Sequence, residues 1–378
     1  MGIVKFGDVV QRANTKEDKD NTSKIYYVGG EHIESDNVLI SNRGKIKGST
    51  IGPMFYFGFK AGQILFVSRN PHLRKAGMVT FDGICSEKTF VLETKDETIL
   101  LQRYLAFVMQ SNDFWEYMEA HKSGSVNYFI NWSTLADYEF NLPDIEEQYR
   151  ISELLWAIND TKQSYINLLK SIDEVVKSQF IEMFGDESKC LRLDELCVHF
   201  GDGDWIESKD QSDEGIRLIQ TGNIGNGVFI EKEDKSRYIS EDTFQRLNCT
   251  EVYPGDVLVS RLPDPIGRAC IIPCMNKAIT AVDCTIIRPK RDLLPEFLVN
   301  FTKTSTYQMQ IDSFTTGSTR KRISRANLGS VMVPVPELDR QKEFVRLAEQ
   351  SDKSKFEINK SLANLTLLYK QVIKENIS

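Results

Sequence analysis

The chain lacks most of the short motifs that announce an enzyme. It has no GxxxxGK[ST] phosphate loop, no GxSxG turn, no HExxH pair and no CxxC pair, so Walker-type nucleotide hydrolysis, serine-hydrolase, zincin and dithiol redox chemistry all start without support. The glycines of Gly222-Asn223-Ile224-Gly225-Asn226-Gly227 are in the wrong order of spacing for a dinucleotide fingerprint. An Asn-Pro-Pro-aromatic motif with a glycine-rich cofactor loop is absent, so base methylation would have to come from another chain. Only four histidines occur, His32, His72, His121 and His199, and Cys270-Ile271-Ile272-Pro273-Cys274 has neither histidine neighbours nor zinc spacing. We therefore expect no metal site and no catalytic residue. Pro263-Asp264 and Asp283 invite a nuclease reading, but Glu233-Asp234-Lys235 lies upstream and loose matches of this kind are common, so it is discounted.

Long apolar runs are missing too. Nothing approaches the ~18 residues of a membrane span, and residues 1–10 have no signal-peptide core, which leads us to expect a cytoplasmic protein. Seven cysteines is an odd number, and six of them fall between Cys190 and Cys284 without a framework spacing; reduced core thiols are the expectation. What is present, 378 residues with 41% hydrophobic and 27% charged, suits two globular units. The net charge of -7 at first argues against a polyanionic partner. Its distribution argues otherwise. No acid occurs from Asn37 to Phe81, a stretch holding Arg43, Lys45, Lys47, Lys60, Arg69, Arg74 and Lys75, and none from Ser313 to Pro336, which holds Arg320, Lys321, Arg322 and Arg325. Local positive faces on an acidic protein are what a phosphate-contacting surface needs.

The strongest signal is an internal repeat. Leu142-Pro143-Asp144-Ile145-Glu146-Glu147-Gln148 recurs 193 residues later as Val335-Pro336-Glu337-Leu338-Asp339-Arg340-Gln341. The same shift places Gly124-Ser125 on Gly317-Ser318, Ile130 on Ile323, Leu135 on Leu328 and Gly62 on Gly255; it becomes 191 where His32-Ile33 meets Asn223-Ile224, and 187 near residue 6. Each copy opens with turn signals and short buried strands, Ile64-Leu65-Phe66-Val67 and Val257-Leu258-Val259, followed by helix-like stretches at 99–118 and 295–309. Each then ends in a long helix. Ile151, Leu155, Ile158, Lys162, Tyr165, Leu169, Ile172 and Val176 keep strict 4,3 spacing, and adding 193 reaches Phe344, Ala348, Ser351, Lys355, Ile358, Leu362, Leu365 and Tyr369, with Val372 following. Forty helical residues extend about 60 Å, and the natural partner of such a helix is the other one. Lys162 and Lys355 interrupt this seam, either as solvated positions or by setting its register.

These residues resemble a family, the DNA-specificity subunits of type I restriction–modification systems. The resemblance rests on tandem copies that each close in a Pro-acid-x-x-x-Gln start to a long helix, Pro143 to Gln148 and Pro336 to Gln341, and on the loop Gly317-Ser318-Thr319-Arg320-Lys321; it covers essentially the whole chain. The first copy departs from it, reading Gly124-Ser125-Val126-Asn127-Tyr128 without the Arg-Lys pair. The resemblance implies an α+β fold of two mixed α/β target recognition domains, residues 1–143 and 187–336, separated by two antiparallel coiled-coil helices at 144–186 and 337–378. It implies a non-catalytic reader of a bipartite duplex-DNA target with an unspecified gap. Two modification subunits would carry S-adenosylmethionine, and two restriction subunits would use ATP and Mg. Half-sites on one face of a duplex lie ~34 Å apart, a distance that helices of this length can bridge.

Candidate DNA contacts in the first copy are Glu31, His32, Arg69, Asn70, His72, Arg74 and Lys75. Those in the second are Arg217, Gln220, Thr221, Asn223, Arg261, Arg268, Ser318, Thr319, Arg320, Lys321 and Arg322. Arginine serves phosphates and guanine alike, amides suit adenine, and a carboxylate can accept from cytosine. The aromatics Phe55, Tyr56, Phe57 and Phe59 are read as core. A second reading, a tandem scaffold that binds proteins through its helices and never touches nucleic acid, draws on the acidic total.

Overall fold

The computed structural model describes residues 2–317 and 321–377. Two compact units divide it, Met1–Ile166 with Asn359–Ser378, and Asn167–Ile358. The division differs from the expected four segments, because each unit combines one globular domain with part of each long helix, Ile145–Phe184 and Leu338–Asn376.

The globular parts share one plan. In the first unit a five-stranded sheet runs in the order Val10–Arg12, Thr89–Thr94, Ile64–Val67, Ala76–Val79, Leu39–Ile40. In the second, a four-stranded sheet repeats the first four places as Cys197–Asp202, Cys284–Pro289, Val257–Ser260 and Ala269–Ile271. Another four-stranded sheet accompanies each. Tyr26–Val28 pairs parallel with Gly83–Ser86 in one, and Ile216–Ile219 parallel with Ala278–Thr280 in the other. Buried strands such as Ile64–Val67 and Val257–Ser260 are apolar but for the terminal Ser260 because both faces are covered. Mixed α/β domains were expected and are found. The helix expected at 99–118 is broken into Gln102–Val108 and Asn112–Ala120, and that at 295–309 into Pro295–Phe301 and Ser305–Phe314. The cause is a pair of N-caps 193 residues apart, Ser111 accepting from the Phe114 amide and Thr304 from that of Tyr307, each at 3.2 Å.

The heptad residues do more than join helix to helix. Ile151, Leu155 and Ile158 enter the first unit's core with Tyr104, Phe107 and Tyr369, and Val372 and Ile373 join them. In the second unit Phe344, Phe297 and Phe180 stand where the first has Ile151, Tyr104 and Ile373, and with Phe184 they meet edge-on or tilted, with centroids 5.0–6.3 Å apart. Val176 is buried beside them, whereas Leu169, Ile172, Ile358, Leu362 and Leu365 are half-buried. Within the second unit the helices run antiparallel, since Asp173 pairs with Lys355 at 2.9 Å while Glu187, further on, pairs with Arg340 at 3.3 Å.

The repeated motif has a physical meaning. Gln148 is fully buried; its Oε1 accepts from the Leu101 amide and its Nε2 donates to the carbonyls of Ile99 and Pro143, all at 2.9 Å. Gln341 does the same with Leu294, Asp292 and Pro336. Each orphaned buried group costs about 1–3 kcal/mol. Gln148→Ala and Gln341→Ala should therefore each lower stability by about 2–4 kcal/mol in urea denaturation, and the double variant should show additive losses because the sites share no partner.

Candidate nucleic-acid interface

In both domains a loop meets the end of a central strand of the main sheet. In the first, Ile130 donates to the Ser68 carbonyl at 2.8 Å, and Ser123 and Phe129 exchange two backbone bonds at 2.9 Å. In the second, Ile323 donates to Arg261 O at 3.2 Å, and Thr316 and Arg322 exchange two bonds at 3.0 Å. Every residue is displaced by 193, so the two loops are one device built twice. The candidate contacts Ser318, Thr319 and Arg320 lie outside the described residues. Lys321 and Arg322, which follow them, are exposed.

A second device stands beside the first. The one-turn helices Gly30–His32 and Thr221–Asn223 occupy equivalent places, and their last residues play one role. His32 Nδ1 accepts from the Gly29 amide at 3.0 Å, and Asn223 Oδ1 accepts from that of Gln220 at 2.9 Å. A cation from the neighbouring strand ties each turn down. Lys75 Nζ donates to Gly30 O at 2.5 Å, and Arg268 Nη2 to Thr221 O at 2.9 Å.

These contacts redistribute the expected site residues. Arg268 is 9% exposed and also serves the carbonyls of Ile224, Leu262 and Pro265, so its guanidinium is spent inside the fold. Burial lowers its pKa. Arg261, 4% exposed, donates to Val282 O at 2.7 Å and lies 3.4 Å from Asp202 and 3.7 Å from Asp283. Asn223 is buried with its amide nitrogen on Ile230 O. Arg268, Arg261 and Asn223, together with Lys75 and His32, are thus corrected from outward-facing contacts to parts that hold the turns and loops in place. Arg74 is partly engaged as well, with Asp36 at 2.8 Å and Asn112 at 3.0 Å, and Arg217 pairs with Glu231 at 2.9 Å. Thr221 and Gln220 are half-exposed on their turn, as Glu31 and His72 are exposed on the first domain.

Arg69 and Asn70 come together with the loop. The Arg69 guanidinium lies 5.2 Å from the Phe129 ring and donates to Asn127 O at 3.2 Å, while the Asn70 amide donates to Tyr128 O at 2.9 Å. Asn70 has φ +52°, a left-handed turn that asparagine tolerates. Two further residues belong to this picture and were not anticipated. Lys122 stands 4.3 Å over Tyr128 at the loop's root, and Trp205 on the second domain is 71% exposed. Lys122 follows Glu116 and Glu119, so a search for acid-free runs passes it by. No group of three or more His, Cys, Asp or Glu suited to a metal occurs among the described residues, and no helix among them is long and apolar enough to cross a membrane.

The fold and site define a tandem protein: two copies of one loop-and-turn platform, each backed by two long helices. Comparison gives it a family. A family model described as type I restriction modification DNA specificity domain matches residues 3–172 and again 186–366, and the chain belongs to that family. Among curated relatives, the EcoDI specificity subunit of Escherichia coli is 29% identical over 191 residues, 50% of this chain and 41% of that one. The EcoKI specificity subunit of Escherichia coli K12 is 24% identical over 34% of this chain and 28% of its own length. The matches thus span less than half of those relatives. Of solved structures, a chain from work on assembly and conformational transition of a type I R-M system aligns with TM-score 0.61 at 18% identity, over 99% of this chain and 97% of that one. The type I S subunit from M. genitalium aligns with TM-score 0.56 at 15% identity, over 100% and 96%. At such identities the likeness concerns the fold.

The division of cations into inner and outer ones is testable by stability alone. Arg268→Ala, which takes the guanidinium from four carbonyls and leaves those of Thr221 and Leu262 with one other donor each, should cost about 2–4 kcal/mol, whereas the double variant Lys321→Ala/Arg322→Ala should stay within about 0.5 kcal/mol of the wild type. Chemical denaturation of the three proteins reads both.

Proposed function

We propose that this chain is the non-catalytic, DNA-reading subunit of a type I restriction–modification assembly, binding a two-part duplex target with an unspecified gap. The observation that carries this reading is the duplicated platform, on which half-exposed Arg69 at one loop and exposed Lys321 with Arg322 at the other stand on an acidic chain. Unequal platforms suit two different half-sites. On the first domain Glu31, Asn70 and His72 are the candidate base readers beside Arg69. On the second, Gln220 takes that role beside Lys321 and Arg322, and Ser318, Thr319 and Arg320 complete the loop. Cations at a loop's rim fix register on phosphates, and side chains nearer the groove floor specify bases.

The partners proposed are two modification subunits holding S-adenosylmethionine and two restriction subunits using ATP and Mg, all in the cytoplasm with the DNA. An adenine withdrawn from the stack for methylation enters the modification subunit's pocket. The scaffold reading without nucleic acid has no observation in its favour beyond the net charge.

A gel-shift assay with random duplex should show binding at low salt that weakens steeply as salt rises. Lys321→Ala/Arg322→Ala should bind about tenfold or more weakly, with the salt slope reduced by roughly one per lost phosphate contact. Absence of binding at low salt would refute the reading. Co-expression with a modification subunit, followed by sequencing of methylated genomic DNA, should return one split motif.

A further inference from the structure

The junction between domain and helices forms a cavity in each unit, and the two cavities occupy equivalent places in the repeat. In the second unit, about 120 Å³ is lined by Lys177, Lys303 and Lys355 facing Asp173 and Asp352. In the first, about 330 Å³ is lined by Arg74, Lys162, Lys370 and Lys374 facing Asp36. Subtracting 193 or adding it relates Lys355 to Lys162, Lys177 to Lys370, and Lys303 to Gln110. The same operation takes Asp173 to Thr366 and Asp352 to Asn159. Both helix carboxylates of the second cavity are therefore missing from the first.

The electrostatic outcome differs accordingly. Lys355 is bound by Asp173 at 2.9 Å and by Asp352 at 2.6 Å. Burial pushes its pKa down, and those two carboxylates more than restore it. Lys162 has no such partner: its ammonium lies 4.9 Å from the Tyr369 ring centroid, and burial together with Lys370 lowers its pKa. Neither Lys162, Lys370 nor Lys374 makes an ion pair among the described residues, and the one carboxylate, Asp36, is engaged by Arg74 at 2.8 Å. Tyr369, 8% exposed, lines the same cavity with its hydroxyl lacking any hydrogen-bond partner in the structure. A buried hydroxyl without an acceptor, beside the half-buried and unpaired Lys162 and the exposed Lys370 and Lys374, makes a site suited to an anion.

We infer that the first unit's cavity is a binding site for a tetrahedral oxyanion of the phosphate class, held by Lys162, Lys370 and Lys374 and by a hydrogen bond from Tyr369. The second unit's cavity, where Asp173 and Asp352 already bind Lys355, is not one. The phosphate arrives either free or as part of a nucleic-acid backbone, and this inference does not depend on the DNA reading above.

Equilibrium dialysis of the full chain against labelled inorganic phosphate in chloride buffer tests it. One phosphate should bind per chain. Lys162→Met should weaken binding at least about tenfold, the loss of one charge-assisted contact of ~1.4 kcal/mol or more. Thr366→Asp, which copies the acid of the second unit, should do the same without removing any cation, and Lys355→Met should leave binding unchanged. No bound phosphate, or wild-type affinity in either Lys162→Met or Thr366→Asp, overturns the inference. Once wild-type binding is established, adding a short duplex identifies the source: displacement of the label assigns the site to a backbone phosphate, and retention assigns it to the free ion.

Discussion

A single buried amide at the head of each long helix governs how that helix leaves its domain. Gln148 and Gln341 each satisfy one N–H and two carbonyls of the domain and the helix start, because a planar amide offers one acceptor oxygen and two donor hydrogens side by side. With the helix start pinned, its first heptad face turns into the domain core, where Leu155 and Phe344 are wholly enclosed. The end of the other helix completes the same core, through Tyr369 and Val372 in one unit and Phe180 and Phe184 in the other. Each unit's core therefore needs both helices, and the stripe read as a coiled-coil seam is in large part domain interior.

The cations illustrate why counting positive residues along a chain misjudges a binding surface. Lys75 and Arg268 hold equivalent turns against the main sheet, and the burial cost of a guanidinium is met by four carbonyls in the latter case. Such struts contribute rigidity to the platform, not charge to its surface. At the loops themselves what remains is Arg69 flattened on Phe129, Lys122 over Tyr128 and paired with Glu119, and the exposed pair Lys321 and Arg322. Few outward cations at the loops of an acidic chain favour recognition that depends on correct placement of each contact over indiscriminate attraction.

Much of this was legible from residue order. The shift of 193 located the repeated strands, both helices and the glutamine motif, since a repeat preserves spacing wherever backbone contacts must be preserved. Even the change to 191 was physical: it aligned His32 with Asn223, and both side chains accept from the backbone amide three residues earlier. Hidden from view were features that depend on direction. Ser111 and Thr304 break what reads as one helix because a hydroxyl captures an amide, and apolar spacing continues undisturbed across the break. Whether an arginine points inward is decided by carbonyls far away in sequence; Thr221 O is 47 positions from Arg268.

The repeat also gives an internal control that a single-copy protein lacks. Where two equivalent sites differ, the difference reports what one copy no longer needs. An ammonium group half withdrawn from water is costly unless a carboxylate or another anion compensates it, and the second unit supplies that compensation to Lys355 from both helices. In the first unit the equivalent lysine is retained while both acids are replaced by neutral Thr366 and Asn159, and Lys374 and Tyr369 stand where the second unit has Ile181 and Val176. Were the lysine only a structural filler, losing its partners would favour a neutral side chain in its place. Instead positive charge and a buried donor accumulate at one junction, which fits compensation by something that comes from outside the chain.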